Sequence, residues 1–238
     1  MTNLSSLEDP RLHPRPRMIL HFAVTADGKV STAHHTAARF TSARDKQKLL
    51  EVRALADAIL VGRDTLETDR MSMDLSDERL RQRRIREGKS EYPLRVILSA
   101  SGNISMASAV FQKGNAPIVI YSTEMMAPSH RRLLSEHAIV HLSTSKELDV
   151  LWVLWHLHEN YGVESVVCEG GPMLVNALAR LDAIDEIYLT IAAKIFGGST
   201  APGLTGLPNN FLPASRQFEL IDIDHGINEC YLRFRRTF

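Results

Sequence analysis

The sequence predicts an α/β domain: a mostly parallel, mixed sheet flanked by helices and closed by an antiparallel C-terminal hairpin. Three observations carry this reading. Short apolar runs alternate with helical periodicity from residue 18 to about residue 193, the pattern of βαβ units. The last two runs, 217–224 and 229–236, follow one another with only His225-Gly226-Ile227-Asn228 between them. Glycine-bearing turns close several of the runs, above all Glu169-Gly170-Gly171-Pro172.

Taken in order, Pro10, Pro14 and Pro16 make residues 1–17 an extended arm, and 18–238 read as a single domain. Residues 18–24 (MILHFAV) are nearly all apolar, as expected of a strand covered on both faces. Ser42-x-x-Asp45 resembles a capping box before a helix over 43–56 with Leu49, Leu50, Val52 and Leu55 on one face. A second buried strand, 58–61, ends in Gly62-Arg63-Asp64-Thr65. Residues 67–92 are charged with mixed sign, which fits a solvated helix between loops or a mobile lid. Strands follow at 94–99, 116–121, 138–142, 163–168 and 185–193, with helices at 125–137, 146–160 and 172–181.

Composition narrows the function. The chain of 238 residues is 44% hydrophobic and 24% charged, and its 28 basic residues balance 28 acidic ones. A nucleic-acid or anionic-membrane partner normally leaves a basic excess, which is missing here. No apolar run approaches the ~20 residues of a membrane span. Two cysteines, Cys168 and Cys230, suit neither a disulfide scaffold nor a thiolate metal site, so a cytoplasmic protein with reduced thiols and no metal is expected. His156 and His158, two apart on a helix, do not share a face. Neither a Gly-x-Ser-x-Gly elbow nor an HExxH pair is present, leaving a serine hydrolase or zincin without support.

Three turns fall at expected strand ends: Thr25-Ala26-Asp27-Gly28, Gly62-Arg63-Asp64-Thr65 and Glu169-Gly170-Gly171-Pro172. Ligands of open α/β sheets sit at that edge, and amides at a helix start attract phosphate. Each turn also has a plain structural reading: Asp27 as a turn aspartate, Glu169 as a helix cap, Arg53 as a surface residue.

Read together, the segments 24–30 (VTADGKV), 40–42 (FTS), 53–62 (RALADAILVG), Thr65, Asp69, 93–98 (PLRVIL), 169–172 (EGGP), Asp185-Glu186 and 195–198 (IFGG) resemble the reductase domain of riboflavin biosynthesis. This is the C-terminal half of bifunctional pyrimidine deaminase–reductases, and the resemblance spans residues 17–236. It implies a dihydrofolate-reductase-like fold with a twisted mixed sheet, a homodimer, and NADPH-dependent reduction of the ribosyl group of 5-amino-6-(5-phosphoribosylamino)uracil, or its diamino precursor, to a ribityl chain. The alternatives are a reductase of the same fold acting on another imine or pterin-like heterocycle, and a non-catalytic NADP(H)-binding protein. The zinc signature of the deaminase half, H-x-E…P-C-x-x-C, is absent from the chain.

The resemblance also implies a site. Gly170, Gly171, Pro172, Met173 and Leu174 face the pyrophosphate of NADPH. Ala23, Val24, Thr25, Gly62, Arg63, Thr65 and Asp69 belong to the cofactor side, and Ser99 and Ser101 receive the adenosine ribose and its 2′-phosphate. Ala37, Arg53, Met73 and Glu169 belong to the substrate, with Arg53 on its phosphate. Asp27 and Glu169 are the candidate acids for hydride transfer to the imine carbon of the ring-opened substrate. The chain departs from the family at His21, where bacterial fused enzymes often carry lysine; it reads as a satisfied core histidine or a proton donor. It departs again at Asp69-Arg70-Met71-Ser72-Met73, and Arg79, Arg81 and Arg83 are the candidates for a second substrate arginine.

Overall fold

The computed structural model describes residues 14–32, 34, 40–207 and 212–237. Among them, nine strands form one sheet in the order β5-β4-β3-β2-β6-β1-β7-β9-β8. The strands are β1 (Arg17–Thr25), β2 (Ala58–Gly62), β3 (Leu94–Leu98), β4 (Ile118–Thr123), β5 (Ile139–Ser143), β6 (Ser165–Cys168), β7 (Glu186–Ala192), β8 (Phe218–His225) and β9 (Glu229–Arg236). From β5 to β7 all neighbours are parallel; β9 returns antiparallel on β7, and β8 pairs with β9. The helices are α1 (Ala43–Leu55), α2 (Arg63–Thr68), α3 (Glu78–Arg86), α4 (Ala109–Gln112), α5 (Pro128–Ser135), α6 (Val150–Tyr161) and α7 (Pro172–Arg180).

Strand alternation sorts β1 between two cores. Met18, Leu20 and Phe22 pack with Val153, Leu157, Leu174 and Leu178 of α6 and α7. On the other face Ile19 joins Val52 of α1, Leu66 of α2 and Leu134 of α5. Residues 18–24 of the strand are therefore apolar, as the sequence suggests, except for His21.

Arginines fix the irregular segments. Arg84 of α3 is 1% exposed and donates to the carbonyls of Ala54, Ala56 and Ser90, satisfying the C-terminal end of α1. Arg95 of β3 serves the carbonyls of Val110, Lys113 and Ala116 in the same way. The charged stretch 67–92 is thus held in place: α3 packs on α1 and buries Leu80 and Arg84. Its composition suits a lid equally well; the carbonyls that Arg84 finds on α1 are invisible in the local pattern.

Ser42 caps α1 and accepts from the Asp45 amide at 3.3 Å, so half of the expected capping box is present. The other half is exchanged. Glu229 of β9 takes the Ser42 amide at 2.6 Å, which frees the Asp45 carboxylate to accept from Thr190 of β7.

At the far edge, His141 of β5 and His156 of α6 stand with ring centroids 4.5 Å apart. Tyr161 hydrogen-bonds His141 at 2.7 Å, and Tyr121 hydrogen-bonds His156 at 2.8 Å. Burial pushes both imidazole pKa values below the ordinary 6.5, and His141 further opposes charge on His156. A group whose folded pKa is depressed contributes stability above its unfolded pKa and loses it as pH falls through the folded value. The midpoint of thermal unfolding is accordingly expected to fall from pH 7 to pH 5, with a shallower slope in the His141→Gln/His156→Gln double variant. Equal slopes would show that the pair does not titrate with folding.

Candidate active site

The ends of β2, β6 and β1 lie side by side in the sheet, and all three carry glycine or hydroxyl-bearing turns. After β6 the Glu169 amide still bonds the Leu60 carbonyl, and the Gly170 carbonyl accepts from the Gly62 amide at 2.9 Å. The peptide between Gly170 and Gly171 is cis, and Gly170 has φ +129°, where side chains are strained. Thr65 of α2 lies against both glycines: a Cβ on Gly171 would stand 2.4 Å from its Oγ1. Glycine is needed here because another element occupies the space of a side chain. Gly171 is the N-cap of α7 without a side-chain cap, so the helix start, with its positive end, faces this edge. The result is a backbone cradle suited to a phosphate-bearing ligand.

Directly behind the cradle is a buried ion pair. Arg53 is 7% exposed and Glu169 9%. Arg53 Nε and Nη2 reach the two Glu169 oxygens at 2.6 and 2.7 Å, while Nη1 reaches the Asp74 carbonyl at 2.5 Å. Burial acts to lower the Arg53 pKa, but the Glu169 carboxylate outweighs it and leaves it raised, so the guanidinium stays charged.

On the far side of α1 a groove of about 330 Å³ opens between α1, α3 and the face of β7, β9 and β8. Lys48, Arg83 and Arg233 bring positive charge, Tyr188 and Tyr231 bring flat aromatic surface, and His21 reaches it from β1. Arg83 Nε and Nη2 are buried without a hydrogen-bond partner, the nearest acid being Glu87 at 3.7 Å. His21, 8% exposed, lies within electrostatic reach of Asp45, Glu169 and Arg53. His21 therefore lines the groove within electrostatic reach of Glu169, which precedes the cradle glycines.

The family model of the RibD C-terminal domain matches residues 16–228. The chain belongs to this family. A relative from Methanothermobacter thermautotrophicus, the 2,5-diamino-6-ribosylamino-4(3H)-pyrimidinone 5′-phosphate reductase, is 30% identical over 187 residues, covering 79% of this chain and 82% of that protein. The protein of the same name from Archaeoglobus fulgidus is 26% identical over 189 residues, 79% of this chain and 85% of the relative. Among solved structures, a pyrimidine reductase-like protein from Corynebacterium diphtheriae superposes with a TM-score of 0.81 at 17% identity, over 94% of this chain and 92% of that one. Dihydrofolate reductase from Enterococcus faecalis superposes at 0.51 with 13% identity, over 95% of this chain and all of its own (100%), a likeness of fold.

In this RibD-type domain several expected residues do converge: Gly62, Thr65, Gly170 and Gly171 touch one another, and Thr25 closes the neighbouring strand. Arg63 reaches the Asn103 carbonyl at 3.4 Å, beside the turn that carries Ser99 and Ser101 after β3. Ser99 and Ser101 hydroxyls accept from the Gly102 and Asn103 amides, shaping that turn. Met173 is 67% exposed on the first turn of α7, while Leu174 turns its side chain into the core. Asp69 caps the end of α2, and partial desolvation of its carboxyl raises its pKa. Ala23 and Val24 are backbone positions of β1, with the Val24 side chain 7% exposed.

Other expectations change. Met73, expected at the substrate, is 1% exposed inside the core cluster with Leu66 and Ile97, so its side chain is unavailable. Asp27 is a hub for the turn rather than a proton donor: its carboxylate accepts from Thr25 Oγ1 and from the Phe196 and Gly197 amides. Those donors, led by the Thr25 hydroxyl, hold its pKa down to about 2, so the group carries no proton to give near neutrality. Arg53, expected on the substrate phosphate, has its fork committed to Glu169. Ala37 lies outside the described residues. Thr190, Lys48 and Arg233 were not singled out from the sequence, and Asp45 was read only as part of a cap; α1, β7 and β9, which carry them, are far apart in the chain, and no local spacing marks the group.

Proposed function

We propose that this chain is an NADPH-dependent reductase of riboflavin biosynthesis, acting on 2,5-diamino-6-ribosylamino-4(3H)-pyrimidinone 5′-phosphate or its deaminated counterpart. The observation that carries the reading is the contact of a glycine cradle with a cationic, tyrosine-lined groove across one buried ion pair. A reductase needs two adjoining ligand sites of this kind, one for a dinucleotide and one for a phosphorylated heterocycle. The two archaeal reductases supply the substrate's name.

Gly170, Gly171 and the start of α7 would hold the pyrophosphate, with Thr65 at its side. Ala23–Thr25 would meet the nicotinamide, and Arg63, Ser99 and Ser101 the adenosine ribose and its 2′-phosphate. NADPH bound there supplies the hydride. The chain's own contribution is to hold the imine carbon of the ring-opened substrate near that end and exclude water. In the groove, Arg83 takes the phosphate role expected of Arg53, because its Nε and Nη2 lack a hydrogen-bond partner and its ion pair with Glu87 is long, at 3.7 Å. Tyr188 and Tyr231 offer surface for the pyrimidine. The homodimer is assigned to β8, one of the two edge strands, which exposes Leu220 (45%) and Ile223 (61%). The cytoplasmic location is part of the same proposal; among the described residues no helix is long and apolar enough to cross a membrane.

The test is loss of reduced-nicotinamide absorbance with purified protein, NADPH and the enzymatically prepared pyrimidine. Saturable oxidation is expected. Arg83→Ala should lower kcat/KM by about 10- to 100-fold, the ~1.5–3 kcal/mol of a charged hydrogen bond, mainly through KM and without weakening NADPH binding. Cofactor binding with no oxidation of NADPH in the presence of either pyrimidine would overturn the assignment.

A further inference from the structure

We propose that His21 supplies the proton that accompanies the hydride, and that the groove is its route to solvent. This rests on the reductase reading above. Reducing a C=N bond forms one C–H and one N–H bond. The hydride goes to carbon, the π electrons go to nitrogen, and nitrogen takes a proton, so each turnover consumes one proton from solvent. A group at the site must pass it on.

Three carboxylates near the cradle are committed elsewhere. Asp27 accepts from a hydroxyl and two amides. Both Glu169 oxygens accept from Arg53. Asp45 accepts from Thr190. Among the groups that line the open groove, His21 lies within electrostatic reach of both Glu169 and Asp45. A histidine between two carboxylates and an open channel can take a proton from water and deliver it inward.

The charges around it come from every packed element. On α1, Asp45 and Glu51 oppose Lys48 and Arg53. From the end of β6 comes Glu169, and β7 contributes Tyr188, which is the cross-strand neighbour of His21. Beyond these stand Arg83 of α3, Arg233 and Tyr231 of β9, and Asp222 and Asp224 of β8. Burial lowers the His21 pKa from 6.5; Asp45 and Glu169 pull it up, and Arg53 lowers it again. The imidazolium fraction, and the rate it carries, should therefore fall about tenfold per pH unit above that value.

The experiment compares wild type, His21→Gln and His21→Ala in kcat against pH, with NADPH affinity measured for each and the His21 ring signal followed by NMR in the ligand-free protein. The signal is identified by its loss in His21→Gln. The expected result has five parts: the ring titrates below pH 7; wild type loses rate on the alkaline side; His21→Gln falls about 10²- to 10⁴-fold and flattens the profile; NADPH affinity is unchanged; and added imidazole restores His21→Ala in proportion to imidazolium. The proposal is overturned if His21→Gln stays within threefold of wild type or keeps the same alkaline limb. It is also overturned if the ring does not titrate between pH 5 and 8, or if His21→Ala loses cofactor affinity and ignores imidazole, as a packing residue would. Failure of wild type to oxidise NADPH with either pyrimidine would instead sink the reductase reading and the proton role with it.

Discussion

Arg53→Ala is expected to lower the unfolding free energy by about 3–5 kcal/mol, the range for breaking a buried ion pair from one side. The loss is large because Glu169 stays behind, 9% exposed, with both oxygens stripped of their donors. The Asp74 carbonyl also loses its Nη1 partner. Adding Glu169→Gln should recover part of the loss, since a neutral amide costs less to bury than an unpaired carboxylate. Urea unfolding of both single variants and the double variant measures this directly. A coupling energy above about 1.5 kcal/mol is expected for groups in such contact. Additive effects, or an Arg53→Ala variant within about 1 kcal/mol of wild type, would show that the pair does not hold this wall of the site.

The second large effect concerns ligand binding. Gly171→Ala places a methyl group 2.4 Å from Thr65 Oγ1, too close for either to stay. Thr65 belongs to the first turn of α2, whose N-cap Gly62 is tied to the Gly170 carbonyl, so the displacement passes along the whole cradle. A shift on the order of 1 Å in a positioned site costs about 100-fold. A fall of that size in NADPH affinity, read by fluorescence titration, is therefore expected with little change in secondary structure. Combining Gly171→Ala with Thr65→Ala removes the hydroxyl the methyl would strike and should restore part of the affinity. Unchanged affinity in Gly171→Ala would place the dinucleotide elsewhere.

The elements themselves were legible because their causes are local. The nearly all-apolar run of β1, the period of α1, and the hairpin from β8 to β9 are written in neighbouring residues, and the structure shifts their ends by only a residue or so. The glycines at 170 and 171 were legible for a related reason, since a side chain there is forbidden whatever the ligand. Charged side chains were less so. Arg84 reads as one more surface arginine in a basic helix, yet it is the most buried large side chain of α3, because the carbonyls it satisfies come from residues 54 and 56. Asp45 looked like half of a capping box until Glu229 of β9 took over the Ser42 amide.

The sequence by itself determined an α/β sheet with a cofactor-type edge at three glycine- or hydroxyl-bearing turns, since propensity, period and turn chemistry act over a few residues. Only the tertiary structure decided that Arg53 pairs with Glu169, 116 positions away, that Asp27 is held ionised, and that His21 faces a groove rather than the core. Each of these depends on which opposite charge or open space lies across the sheet. That is set by how the strands are ordered, not by the spacing of residues along any one of them.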